Sequence, residues 1–149
     1  MNINEFVKKH WPEAMHIGSG SSGSAHKLGD KVIKITTSLH EARSAVILKK
    51  NPHPLAAQIY SVRHIREHYW VIVRAYATQA YYSHTYCAPL INKLFTHVYK
   101  IAGKAYGTDT YEGNWGTINN KPVCFDVDMI IPVLAVKIPL FRKGRHANH

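Results

Sequence analysis

With 149 residues, 46% of them hydrophobic and 19% charged, the chain has the size and composition of one soluble globular unit and is too short for two independent domains. No run approaches the roughly 18 to 20 apolar residues of a membrane span. The first residues lack a secretion-signal layout, and Cys87 and Cys124 are too few for a disulfide framework, so the expected compartment is a reducing cytoplasm. Nineteen Lys and Arg against nine Asp and Glu give a formal net charge of +10, which favours phosphate-bearing or acidic partners without choosing among nucleotides, nucleic acids and acidic proteins.

In chain order, Ile3, Phe6, Val7 and His10 stand at helical spacing and predict a short leading helix, stopped by Trp11-Pro12. Three antiparallel strands follow: Met15-His16-Ile17, residues 24–28, and Val32-Ile33-Lys34-Ile35, parted by a glycine-serine stretch and a Gly29-Asp30 turn. Ser38 with Glu41 three residues on forms a capping-box pair, and Leu39, Ala42, Ala45, Val46 and Leu48 carry a helix as far as Asn51-Pro52. Residues 57–62 and 69–75, rich in β-branched and aromatic side chains, predict a hairpin connected by the polar stretch 63–68. A linker at 77–87 leads to a further helix at 89–106, with Leu90, Leu94, Val98 and Ala102 four residues apart. Beyond Gly107 a polar loop precedes two short strands at 115–118 and 122–125, joined by Asn119-Asn120-Lys121. The apolar run 129–140 closes the core, and the last nine residues, with the basic cluster Arg142, Lys143 and Arg145, read as a frayed, solvated end.

Gly18-Ser19-Gly20-Ser21-Ser22-Gly23 has the G-x-G-x-x-G spacing, with Ala25 two positions after the last glycine. Glycine serves where backbone amides must approach phosphate oxygens closely, although a serine-glycine stretch also reads as a plain flexible turn. A dinucleotide-binding fold would open a helix at the last glycine. Here strands stand on both sides, as in a hairpin that covers nucleotide phosphates, so Gly18, Ser19, Gly20, Ser21, Ser22 and Gly23 are candidate nucleotide contacts. Lys34 has apolar neighbours at 33 and 35, so its side chain leaves the third strand on the opposite face from theirs, beneath the hairpin. Glu41 is the only carboxylate between Asp30 and Glu67. It is therefore either the helix-borne partner of Lys34 or simply the third residue of the Ser38 cap.

The second constellation is Asp109-Thr110-Tyr111-Glu112-Gly113-Asn114, followed by Asp126 at the end of an apolar strand. In the D-x-x-x-x-N separation an aspartate takes the proton of an attacking hydroxyl while the asparagine ligates Mg²⁺, and a strand-ending aspartate holds the ion that bridges the phosphates. Taken singly, Asp109 also reads as a turn cap, Asn114 as an Asx turn and Asp126 as a strand end. Eleven histidines are scattered along the chain and read as polar and core residues. The tyrosines Tyr69, Tyr76, Tyr81, Tyr82 and Tyr86, with Trp70, fill a core or line an adenine pocket.

Glycine loop, strand lysine, D-x-x-x-x-N and strand-ending aspartate in this order resemble the protein-kinase-like superfamily. Over residues 14–130 the chain is most similar to the early serine/threonine protein kinase domain of T7-like bacteriophages. The resemblance is carried by Gly18-Ser19-Gly20, Val32-Ile33-Lys34, Asp109 to Asn114 and Phe125-Asp126. The Gly113-Asn114 pair is also similar to aminoglycoside kinases. The chain departs from the pattern where Gly107-Thr108 stand in place of His-Arg, where Val127-Asp128 stand in place of Phe-Gly, and in lacking Ala-Pro-Glu; 23 residues follow Asp126.

The expected fold is α+β and two-lobed: a five-stranded antiparallel N-lobe plus one helix over 1–76, and an abbreviated C-lobe over 77–149, with ATP between them. The resemblance implies Mg²⁺-dependent phosphoryl transfer from ATP to serine or threonine of host proteins. Gly18 to Gly23 would cover the phosphates, Lys34 with Glu41 would hold them, Asp109 would act as catalytic base, and Asn114 and Asp126 would bind metal. If the chain is phage-encoded, its place is the host bacterial cytoplasm. The alternatives are a pseudokinase-like protein that docks on a host enzyme, a small-molecule phosphotransferase, and a basic nucleic-acid-binding protein, the last not favoured; no membrane partner is expected.

Overall fold

Residues 1–107, 112–131 and 136–142 are described by the computed structural model. The first helix, α1 (Ile3–His10), is capped by Asn2, whose side-chain oxygen accepts from the Glu5 amide at 3.1 Å. Strands β1 (Met15–Gly20), β2 (Gly23–Leu28) and β3 (Lys31–Thr36) then run antiparallel, joined by the two-residue turns Ser21-Ser22 and Gly29-Asp30. Gly18 therefore lies within β1, Gly20 ends it and Gly23 opens β2. At Gly23 the reason is space: a Cβ there would stand 1.8 Å from the Ile35 carbonyl oxygen on the neighbouring strand.

Ser38 caps α2 (Leu39–Lys50), accepting from the Glu41 amide at 3.1 Å. Strands β4 (Ile59–Arg66) and β5 (Tyr69–Ala75) complete a five-stranded antiparallel sheet in the order β1-β2-β3-β5-β4. The polar residues expected to form the β4–β5 connection belong mostly to β4, and the turn is Glu67-His68, with Glu67 at φ 48°. The physical reason is that β4 is the outer strand of the sheet, where Arg66 is exposed and Arg63 and His64 stay half-buried without leaving the ladder.

Alternation divides the sheet into two chemical faces. Ile33 and Ile35 of β3 and Val71 and Val73 of β5 pack against Val7 and Trp11 on one side. The alternate positions Val32, Lys34, Ile72 and Arg74 point the other way, with Val32 opposite Arg74 and Lys34 opposite Ile72. That second face meets α2, whose Ala42, Ala45 and Val46 pack with Val62, Trp70 and Ile72.

The rest of the chain comprises β6 (Thr78–Gln79), α3 (His84–Ala102), β7 (Tyr106–Gly107), a 3₁₀ turn Glu112–Asn114, β8 (Trp115–Ile118), β9 (Lys121–Cys124) and β10 (Met129–Ile130). Helix α3 starts five residues before the expected Pro89, because Ser83 offers a cap and accepts from the Tyr86 amide at 3.1 Å. Pro89 therefore lies inside the helix, in its second turn, where it makes no backbone hydrogen bond to residue 85 and its ring crowds that carbonyl. Gly103, at φ 78°, ends the helix before the expected Tyr106. Ile47 and Leu48 of α2 share a core with Cys87, Leu94 and Val98 of α3, together with Trp115 and Met129. No helix among the described residues is long and apolar enough to cross a membrane.

Phe141, expected in a frayed end, is instead held in place; residues 143–149, the rest of that expectation, lie outside the described residues. His64 donates its backbone N–H to the Pro139 carbonyl at 2.8 Å and accepts from the Phe141 amide at 2.8 Å, so the returning chain lines the β4 edge. The Phe141 ring then stands 5.3 Å from Phe6, 4.9 Å from His10 and 5.6 Å from Trp11, covering the α1 face.

Candidate active site

Lys34 leaves β3 on the face opposite Ile33 and Ile35, as its flanking residues require. Its ammonium meets Glu41 Oε2 at 2.5 Å and Asp126 Oδ1 at 3.1 Å. The two readings of Glu41 are therefore both true of different atoms: its amide completes the Ser38 cap while its carboxylate reaches the lysine. Glu41 is only 3% exposed. Burial, only partly offset by Lys34, holds its carboxyl above the usual range. For Lys34 burial works downward, but Asp126 and Glu41 together outweigh it and leave the ammonium above its ordinary value. The lysine is thus a firmly charged cation in a recess.

Asp126 and Asn114 are brought together by one hairpin. β8 and β9 pair Ile118 with Lys121 across the two-residue turn Asn119-Asn120, whose φ values of 51° and 63° suit a type I′ connection. The ladder continues to Trp115 opposite Cys124, and the Phe125 amide donates to the Asn114 carbonyl at 2.9 Å. Each residue thus follows or precedes a strand end at the same level. Asp109 lies outside the described residues.

Above these groups the β1–β2 hairpin arches over a cleft of about 570 Å³, lined by Gly18 to Ala25 on one side and by Lys34, Glu41, Asn114 and Asp126 on the other. That volume is in the range of nucleotide-sized sites. A Cβ placed on Gly18 or Gly20 would meet nothing within 4 Å, whereas one on Gly23 would meet backbone. The first two glycines therefore have open space beside them, and the third lets β2 approach β3.

Two further charged residues line the same cleft. Arg74 leaves β5 beside Lys34 and brings its Nε to 3.6 Å from Asp126 Oδ1, with its guanidinium 5.0 Å from the Phe125 ring centroid. Asp128 stands at the mouth, with the Ser38 hydroxyl 3.3 Å from its Oδ2. The only signal for Arg74 was the β3–β5 register, which sets it on the lysine face; Asp128 stood beside Asp126 in the sequence as a departure from the expected Phe-Gly.

The oxygen-bearing groups that line the cleft and could hold a divalent cation are the Asp126 carboxylate, the Asn114 side-chain amide and the Asp128 carboxylate, an all-oxygen set suited to Mg²⁺. Both Lys34 and Arg74 come closest to Asp126 at Oδ1, so its second oxygen keeps lone pairs for a ligand. The residues present therefore fit such an ion. Among the described residues no cluster of three His, Cys, Asp or Glu side chains is placed to hold a metal by itself. Histidines do meet in pairs that the sequence spacing hid: His16 with His26 at 5.3 Å, and His53 with His97 at 4.9 Å between ring centroids.

No family model matches the sequence, and no curated protein matches it. The structure is similar to that of the Cydia pomonella granulovirus kinase PK-1, with a TM-score of 0.53 and 13% identity over 86% of this chain and 56% of that one. It also matches aminoglycoside phosphotransferase APH(4)-Ia in a ternary complex with AMP-PNP and hygromycin B, at a TM-score of 0.41 and 9% identity over 66% of this chain and 37% of that one. A complex of that enzyme with ADP and hygromycin B matches at 0.42 and 9%, over 67% and 38%. The chain thus spans between about a third and just over half of the length of these structures. What the likeness shows is the architecture: an α+β, partial protein-kinase-like fold whose five-stranded antiparallel sheet carries the candidate cleft.

Proposed function

We propose that the protein is a phosphotransferase that binds ATP with Mg²⁺ in the cleft under the β1–β2 hairpin. In this reading the chain is one kinase-like unit, with residues 1–76 as N-lobe and 77–149 as a shortened C-lobe. The observation that supports it most is the Lys34 ammonium, paired with Glu41 from α2 and Asp126 from the β8–β9 hairpin beneath a glycine-lined roof. Three separate elements converge on one cation.

Lys34 binds and orients the phosphates, and Glu41 fixes the lysine so that its charge stays aimed at the cleft. Backbone amides of Gly18 to Gly23 cover the phosphates and exclude water. Asn114 and Asp126, joined by Asp128 at the mouth, would hold Mg²⁺, which supplies charge neutralisation on the phosphate oxygens when bound. Asp109 takes the proton of the attacking hydroxyl, a role that rests on its D-x-x-x-x-N separation from Asn114. The acceptor is a serine or threonine of a host protein, as the similarity to phage kinases suggests. The test is transfer of radiolabelled γ-phosphate from ATP to bacterial lysate proteins in Mg²⁺. Labelled protein bands are expected, and their absence with every acceptor offered would remove the enzyme reading.

A second reading, a nucleotide-binding protein that acts by docking on a host enzyme without transferring phosphate, is favoured by the two cations crowding Asp126. A protein of this kind would bind ATP but label nothing.

A further inference from the structure

Arg74 has no part in the phosphotransfer scheme, and its surroundings suggest one. It leaves the central strand β5 on the cleft face, and only 5% of its surface is exposed. Nη1 donates to the Ala75 carbonyl at 3.2 Å, and the guanidinium lies against the Phe125 ring. The Nε is buried and makes no hydrogen bond, its nearest anion being Asp126 Oδ1 at 3.6 Å. A buried guanidinium is costly unless its donors are used, and this one lines the cleft while its Nε–H is left without a hydrogen bond.

The consequence for a divalent ion is electrostatic. Asp126, the carboxylate best placed to hold it, is already shared by Lys34 and Arg74, both nearest the same oxygen. An ion on that carboxylate would stand within a few ångströms of two fixed positive charges, which weakens its hold. A polyphosphate entering the cleft would be attracted by both cations but repelled by Glu41, Asp126 and Asp128, which line it as well, so each cation must meet the phosphate directly. A guanidinium also suits phosphate, because its planar fork can give two parallel hydrogen bonds.

We propose that Arg74 is a second phosphate-binding cation of the nucleotide site, doing part of the work of the divalent ion, so that nucleoside triphosphate binding depends only weakly on Mg²⁺. This rests on the nucleotide-binding reading above. It adds a residue and a metal dependence that the glycine loop, Lys34 and Asp126 do not by themselves imply.

The experiment is calorimetric titration of the full chain with ATP, once in Mg²⁺ and once in EDTA, for wild type, Arg74→Met and Arg74→Lys. For wild type the two dissociation constants are expected within about tenfold, or about 1.4 kcal/mol. Arg74→Met should weaken binding in EDTA by about tenfold or more and binding in Mg²⁺ by clearly less, while Arg74→Lys retains most of the EDTA affinity. Wild-type binding seen only with Mg²⁺ would overturn the proposal and leave the phosphotransferase reading intact. Equal weakening of Arg74→Met in both media would also overturn it, since a merely structural loss does not distinguish them. No binding in either medium would overturn both readings. If Arg74→Met fails to fold by circular dichroism, the wild-type ratio and the Arg74→Lys titrations still decide.

Discussion

At Asp126 one carboxylate serves two cationic neighbours, Lys34 and Arg74, and would serve a divalent ion as well. Asp126→Asn keeps the shape but removes the charge that Lys34 and Arg74 share and that a divalent ion would use. The expected result is loss of whatever affinity Mg²⁺ adds to ATP binding, measured by calorimetry with and without the ion; an undiminished Mg²⁺ increment would take Asp126 out of the metal site. Lys34→Met is expected to lower phosphotransfer by roughly 10²- to 10³-fold, because the ammonium stabilises developing charge on the phosphates. Methionine covers the lysine stem's apolar contacts but leaves Glu41 buried without its cation, so the melting temperature should fall, and a thermal melt checks that the variant still folds. A folded Lys34→Met protein with full activity would reduce the residue to a sheet-face cation. Lys34 was readable from the sequence because the strand alternation of its neighbours sets its direction. Arg74 was not, because its direction into the cleft depends on the β3–β5 register, which involves residues 40 positions away in the chain.

The β1–β2 hairpin separates two uses of glycine that the sequence pattern treats alike. Gly23→Ala drives a Cβ to 1.8 Å from the Ile35 carbonyl oxygen, so the strands must part, at a cost of about 2 kcal/mol by urea titration. Gly18→Ala and Gly20→Ala meet open space and should leave stability within about 0.5 kcal/mol while weakening ATP binding. If all three destabilise equally, the hairpin is packed differently from the structure described. The same hairpin carries a buried imidazole. Burial first, and His16 second, hold His26 below its ordinary pKa. Between that lowered value and the ordinary one the unfolded chain binds more protons, so stability is full above the ordinary histidine range and falls as pH drops through the folded value. His26→Asn should therefore flatten the decline in urea midpoint from about pH 7.5 to pH 5, given the unperturbed histidine value of about 6.5. A residual slope should remain, because burial and then His97 lower His53 in the same direction. An unchanged slope in the variant would assign the pH dependence elsewhere. Element types were legible from period and caps, as at Ser38 and Glu41. Boundaries failed where tertiary context supplied what local pattern could not: an edge position for the polar end of β4, and a Ser83 cap ahead of Pro89.

Across the whole molecule, the sheet, α2 and the β8–β9 hairpin are assembled around one cleft, yet the chain spans 56% of the granulovirus kinase whose fold it shares. The groups under the hairpin are those that would hold a nucleotide, whereas recognition of a protein acceptor needs surface beyond the cleft, so binding and transfer can be separated experimentally. Asp109 carries that separation, because its role rests on sequence spacing alone and it lies outside the described residues. In protein kinases the aspartate of the D-x-x-x-x-N loop serves the incoming hydroxyl and not the phosphates, and that is the role proposed for Asp109. Asp109→Ala should lower γ-phosphate transfer by roughly 10²- to 10⁴-fold while leaving the ATP dissociation constant within about twofold of wild type. Retained transfer would show that another group accepts the proton. If neither wild type nor variant transfers phosphate to any acceptor, while both bind ATP and the same host protein with equal affinity, the molecule is a nucleotide-binding docking protein built on a kinase-like sheet.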